Sequence, residues 1–273
     1  MESKLPDADG FIKVSKKKSA KARKLKTFAS SSDTVDVNCC LRNIEKAKHE
    51  LTSSSFFQTF SLLIKEVCAE ANKNISQIIC LGIGAISTCK TAQYQLALLL
   101  ALKQEIDCTV EVYDPIFGQS EKDILNILNV KVPNQNTEGK IVITSSSFTF
   151  FILPHCPKEL FNNLLFSNWS TENLENCLVY GNSLEKLKLN TPRRFLEPFH
   201  YLIHSESITE EVEVPNSFTF TDIFNDLSIH YFPIRLLSCV ESTFWDNPKP
   251  VYLTESELMK EDGCATDAEG PCS

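Results

Sequence analysis

Two periodicities alternate along the chain. From Phe56 to Glu70 the apolar residues Phe57, Phe60, Leu63, Ile64 and Val67 recur at three- and four-residue intervals, the spacing of one helical face, and the pattern predicts a helix there and another over Ile44 to Leu51. The period then changes. Ile78-Ile79-Cys80-Leu81 is a short apolar run that opens directly into Gly82-Ile83-Gly84-Ala85-Ile86-Ser87, which predicts a strand, a tight turn and a helix over about 88–104 carrying Ala92, Leu96, Leu99 and Leu100. The run 109–113 predicts a second strand, 121–128 a helix and 130–132 a short third strand. A polar loop is expected over 133–140. Phe148 to Leu153, which stops at Pro154-His155-Cys156, predicts a fourth strand, followed by a helix over 158–166 and a fifth strand over 178–180 that ends at Gly181-Asn182-Ser183. Residues 184–217 show no clear period, because Pro192, Pro198 and Pro215 interrupt it. A short helix or turn over 222–227 and a last strand over 228–233 complete the pattern, with no internal repeat.

This alternation predicts an α/β protein with a Rossmann-like, doubly wound, mostly parallel sheet of order 3-2-1-4-5 plus a later strand, and N-terminal helices packed onto it. Ligands of such sheets bind at the carboxyl ends of the strands, where the winding reverses. Gly82, Gly84 and Ser87 fall there after the first strand, Asp114 after the second, His155 after the fourth and Asn182 after the fifth. These residues form the candidate binding crevice. Glycines let the backbone approach a ligand, helix amides hold anions, and an acid after the second strand suits ribose hydroxyls. An S-adenosylmethionine-like or nucleotide ligand would match. A tight turn also needs its glycines with nothing bound, the third glycine of the dinucleotide fingerprint is replaced by Ser87, and Asp114 stands 30 residues beyond Gly84 against the usual ~20. Leu153-Pro154-His155-Cys156 also replaces the acidic or amide residue that often precedes Pro-Pro in methyltransferases.

Composition sets outer bounds. The chain has 273 residues and 42% hydrophobic content, enough for one substantial core. No apolar run approaches the ~20 residues that span a bilayer, and the polar start, Met1 to Gly10, does not read as a secretory signal. An intracellular, cytoplasmic protein is expected. The eleven cysteines include Cys68, Cys80 and Cys177 inside apolar segments, which reads as free buried thiols. Charge divides unevenly: residues 1–26 hold nine basic and three acidic side chains, a balance of +6, which leaves −14 for the rest of a chain of net charge −8. A disordered basic tail over 1–38, one folded domain over 39–252 and a disordered acidic tail over 253–273 are therefore expected. The basic tail also reads as a nuclear-import signal or a weak nucleic-acid contact. Sequence-specific DNA binding by the acidic body is not expected, since it would repel phosphate.

His155 and Cys156 are the candidates for chemistry of their own, as a nucleophile with its base or as two ligands. Cys156-Pro157 matches the core of the Cys-Pro motif by which some regulatory proteins bind haem iron through a thiolate. No CxxC pair is present, no metal site is expected, and no Gly-x-Ser-x-Gly elbow marks a hydrolase. Asn225-Asp226 and His230 could add polar groups to a site, though His230 within an apolar strand reads as a structural residue.

Taken in order, Leu81-Gly82-Ile83-Gly84 with Ser87, Tyr94-Gln95-Leu96-Ala97, Tyr113-Asp114-Pro115, Pro154-His155-Cys156, Asn162-Asn163-Leu164-Leu165 with Asn168-Trp169, Gly181-Asn182-Ser183, and Phe224-Asn225-Asp226 with Ser228-Ile229-His230 resemble the sensitivity-to-red-light-reduced, or SRR-like, family from about Phe56 to Pro233. The resemblance implies a regulatory protein of circadian clock input and clock gene expression and of haem biosynthesis, acting through an unidentified protein partner or a small ligand. It brings no established catalytic residues. The alternative is a transferase dependent on S-adenosylmethionine or a nucleotide.

Overall fold

Short polar side chains start and stop the first helices. Asp36 accepts the Cys39 N–H at 3.0 Å to start α1 (Val37–Thr52), and Ser54 accepts that of Phe57 at 3.2 Å to start α2 (Ser55–Ala71); each satisfies a donor that has no partner inside its helix. Asn72 ends α2 in the left-handed region at φ 52°, a conformation that asparagine tolerates where glycine is absent. The computed structural model describes residues 36–252 except 145, 146 and 247. The expected acidic tail, and the basic one up to residue 35, lie outside the described residues.

The chain continues as β1 (Ile75–Leu81), α3 (Lys90–Ile106), β2 (Thr109–Tyr113), α4 (Gln119–Ile127), β3 (Phe148–Leu153), α5 (Lys158–Ser167), α6 (Thr171–Leu174) and β4 (Cys177–Asn182). It ends with α7 (Leu184–Asn190), α8 (His200–His204), β5 (Glu210–Glu213), β6 (Leu227–Tyr231) and α9 (Ile234–Leu237), with short 3₁₀ turns between. The strands form one mixed sheet in the order β2-β1-β3-β4-β6-β5. The expected succession of the first four strands holds, with β1 parallel to both β2 and β3, and β3 parallel to β4. Beyond β4 the direction reverses, because β6 is antiparallel to β4 and β5 is antiparallel to β6. The predicted third strand shrinks to a single bridge, Glu111 to Lys131. Pro133 follows two residues later and has no N–H to continue the ladder.

β5 is the strand that the sequence pattern does not reveal. It reads Glu-Glu-Val-Glu and lies at the sheet edge, half-exposed, where charge discourages pairing with another chain. The segment expected as a helix or turn over 222–227 is a turn that leads into β6.

Side chains of the strands alternate between two cores. Ile78, Cys80, Phe150, Ile152, Leu178 and Tyr180 face α1 to α4, whereas Ile79, Leu81, Phe151, Leu153, Cys177 and Val179 face α5 and the segments after it, as the two-residue period of a strand requires. α3 is buried from Ala92 to Leu102 and packs along α1. On this side Phe56 stacks on Phe224 with centroids 4.7 Å apart and touches Phe60 and Phe218, so α2 anchors the loop before β6. On the other side Trp169 packs against Tyr201 and Phe244 and donates its indole N–H to the Phe244 carbonyl at 2.9 Å. Among the described residues the cysteines are free thiols, and no helix is long and apolar enough to cross a membrane.

Two of the fully buried polar side chains tie distant segments together. Asn168 accepts the Ile143 N–H at 2.7 Å and donates to the carbonyls of Ile141 and Leu164 at 2.7 and 2.8 Å, tying the loop before β3 to α5. His230 on β6 donates from Nε2 to the Asn182 carbonyl at 3.1 Å, while its Nδ1 has no hydrogen bond and lies 3.9 Å from a Glu211 carboxylate oxygen. Burial lowers its pKa, and the Glu211 charge and the backbone bonds only partly oppose this.

Asn168→Ala strands the Ile143 donor and the Ile141 acceptor, and urea unfolding is expected to show a loss of about 3 kcal/mol. The unfolded chain takes up a proton at imidazole near pH ~6.5, before folded His230 does, so stability is expected to fall as pH drops from about 6.5 toward 5. His200, also lowered by burial and by His204, adds in the same direction. Urea midpoints at pH 7.5 and 5.5 check this, and the decline should be shallower in His230→Asn.

Candidate functional site

The turn after β1 is held in place by its own backbone and by the next turn. Gly82 takes φ +72° and donates its N–H to the Tyr113 carbonyl at 3.0 Å; a Cβ there would stand 2.6 Å from the Cys156 sulfur. Only glycine serves at this position. Asp114, nearly buried, accepts the Gly84 N–H on one carboxylate oxygen at 2.8 Å and the Ile116 N–H on the other at 3.0 Å. Ser87 donates to Glu121, whose second oxygen accepts the Gly118 N–H at 3.1 Å. Burial raises the Glu121 pKa, but the bonds from Ser87 and the backbone outweigh it and hold the group below its usual range. Two buried carboxylates thus join the first strand-to-helix turn to the second.

A second set of bonds joins the ends of β3, β4 and β6. His155 sits at φ +53°, exposed, with Nε2 donating to the Ile223 carbonyl at 3.1 Å. Cys156 is buried and donates from sulfur to the Leu81 carbonyl at 3.1 Å; burial, and then the charge of Asp114, push its thiol up to about 12. Asn182 donates to the Cys156 carbonyl at 2.8 Å. The imidazole and the thiol each bond to a different backbone carbonyl and not to each other. A thiol held this way does not fit haem ligation, which needs an accessible thiolate.

The cavity at the strand ends lies beside these bonds. It measures about 500 Å³ and is walled by Leu81 and Gly82 after β1, Tyr113 and Pro115 after β2, the loop from Asn136 to Gly139, the first turns of α5, and Tyr252, within the ~300–1,000 Å³ of small-molecule pockets. Of the sequence-predicted residues, Gly82 lines it. Gly84, Ser87, Asp114, His155 and Asn182 do not, because their polar atoms are turned into the joints between strand ends. The sequence reading missed the opposite wall. There Gly139, at φ +82°, lies so close to α5 that a Cβ would stand 2.5 Å from the Leu160 carbonyl. Asn163 donates to the Glu138 carbonyl at 2.8 Å and accepts from the Tyr252 hydroxyl at 2.6 Å, while Asn162 donates to that hydroxyl and accepts the Leu202 N–H. The signal available was the glycine in the polar 133–140 loop together with adjacent asparagines on a helix.

Cavity chemistry is mild. Its polar side chains are hydroxyls, amides and the carboxylates of Glu138 and Glu159, and among the described residues no lysine, arginine, histidine or cysteine lines it. Glu138 pairs with Lys140 at 2.6 Å, which holds its carboxyl below the usual range. Such a lining does not fit the phosphates of a nucleotide, and Asp114, with each oxygen already bonded to backbone, does not face the cavity to receive a ribose. The sequence reading also missed one pair that a search for His-x₃-His finds: His200 and His204 on α8.

Residues 15–231 match the family model described as the SRR1 domain. An SRR1-like protein of Drosophila melanogaster is 30% identical over 241 residues, covering 85% of each chain, and one of Mus musculus is 31% identical over 201 residues, covering 70% of this chain and 79% of the relative. The Arabidopsis thaliana protein named Sensitivity to Red Light Reduced 1 is 26% identical over 204 residues, covering 70% and 74%. The extent of the match and these identities place the expected motifs in one continuous region, and the chain belongs to the SRR1 domain family.

Proposed function

We propose that this protein, a Rossmann-like sheet with an antiparallel extension, is a regulatory protein that acts by non-covalent binding at the strand-end cavity. The carrying observation is that cavity itself: a volume of about 500 Å³ lined by groups that bind and orient, beside a thiol, an imidazole and a carboxylate that are engaged with backbone. The name of the Arabidopsis relative refers to red-light sensitivity, which supports a role in signal input. We extend the reading to clock input and the control of haem synthesis through a protein partner, as the family resemblance implies, with action in the cytoplasm and, through the basic segment, in the nucleus. The alternative is a transferase dependent on S-adenosylmethionine or a nucleotide; Gly82 in the cavity wall is the feature that favours it.

Thermal-shift titration with S-adenosylmethionine, S-adenosylhomocysteine, NAD, ATP and haem tests both. Binding to the folded state alone adds about 2.7 kcal/mol at a hundred times Kd. ATP and NAD are expected to give no shift. A shift with any member should vanish in Leu160→Trp, which fills the cavity; release of S-adenosylhomocysteine from S-adenosylmethionine in the presence of the protein would replace this reading with the transferase. Iodoacetamide at pH 8, followed by peptide mass mapping, is expected to label exposed Cys39, Cys89 and Cys239 and leave Cys156 intact. Rapid labelling of Cys156 in the folded protein would restore thiolate chemistry to the candidates.

A further inference from the structure

One side-chain pair outside the strand-end cavity brings two metal-ligand side chains together on one helical turn. α8 is a single turn that begins at His200 and ends at His204, so the two imidazoles project from the same side of the helix. Their ring centroids are 3.9 Å apart with planes inclined by 32°. Nδ1 of His204 lies 2.7 Å from the His200 carbonyl. A carbonyl only accepts, so Nδ1 carries the proton and the ring's lone pair is on Nε2. Metal-binding histidines are commonly oriented in this way, by donating their other N–H to a backbone carbonyl.

Acidic groups line the same concavity as the pair. Both histidines line an open concavity of about 590 Å³ with the Cys239 thiol and the carboxylates of Glu241 and Asp246, the donor types that borderline divalent ions accept. Between the two histidines Tyr201 packs against Trp169 and donates to the Pro248 carbonyl at 2.6 Å; the His200 ring lies edge-on to Tyr201 at 5.0 Å, while His204 is exposed. As placed, no three His, Cys, Asp or Glu side chains among the described residues enclose an ion, so the site has two protein ligands.

We propose that His200 and His204 chelate a divalent transition-metal ion of the zinc or nickel type on the surface of α8, with water in the remaining positions and the acidic rim of the concavity favouring the cation. The site is independent of the strand-end cavity and of the regulatory reading. Calorimetric titration of the full chain under reducing conditions with Zn²⁺ and with Ni²⁺ should give one site. His200→Gln and His204→Gln should each weaken it at least about tenfold, or about 1.4 kcal/mol, and the double variant should abolish it. In the unaltered protein, Ni²⁺ should slow diethyl pyrocarbonate modification of His200 and His204 without protecting exposed His49, a readout that needs no variant to fold. Equal affinity in the double variant, or equal protection of His49, would overturn the proposal.

Discussion

Strand β3 carries the constraint on which the other layers depend. All six residues from Phe148 to Leu153 are buried, so no water reaches its backbone, and every peptide group there must find its partner in a neighbouring strand. β1 and β4 supply those partners in parallel. Both faces of β3 must also be covered, and Phe150 and Phe151, adjacent in sequence, belong to opposite cores. Helices before β3 cover one face and segments after it cover the other, which places the crossovers, and with them the ligand-accessible strand ends, where they are.

At those ends the protein spends its polar side chains on joining turns. Asp114, Glu121, Ser87, His155, Cys156 and Asn182 each bond to a segment distant in sequence. Turns without regular secondary structure leave backbone donors and acceptors that burial would otherwise strand. A carboxylate that accepts two backbone N–H groups or a thiol that donates to a carbonyl is held by the fold, and the same bonds remove it from reaction chemistry. What is left for binding is the shape between two glycine-permitted close approaches, at Gly82 against Cys156 and at Gly139 against α5.

The parallel strands and the five predicted helices, the N-terminal pair among them, were legible because each has enough residues to show its period. β5 was not, since an edge strand of three glutamates and one valine has no apolar alternation. The strand expected at 130–132 read as apolar but meets β2 at one residue before Pro133. Among candidate residues, position at a strand end was legible and orientation was not. Asp114 was located correctly after the second strand, yet its carboxylate turns back to Gly84 and Ile116, which is decided by atoms 30 residues away. Asn163 and Tyr252 are almost ninety residues apart, and nothing local marks them as partners.

The sequence by itself determined the alternation of elements, the strand ends at which a site would form, and a glycine turn after the first strand, because these follow from short-range periodicity and backbone sterics. Tertiary structure alone decided which polar groups face solvent and which are consumed in joints. It also reversed the sheet beyond β4, formed the wall opposite Gly82 from the 136–139 loop, α5 and Tyr252, and set the His200 and His204 rings beside an acidic rim. Those outcomes depend on packing between distant segments, where the burial of one side chain fixes the direction of another.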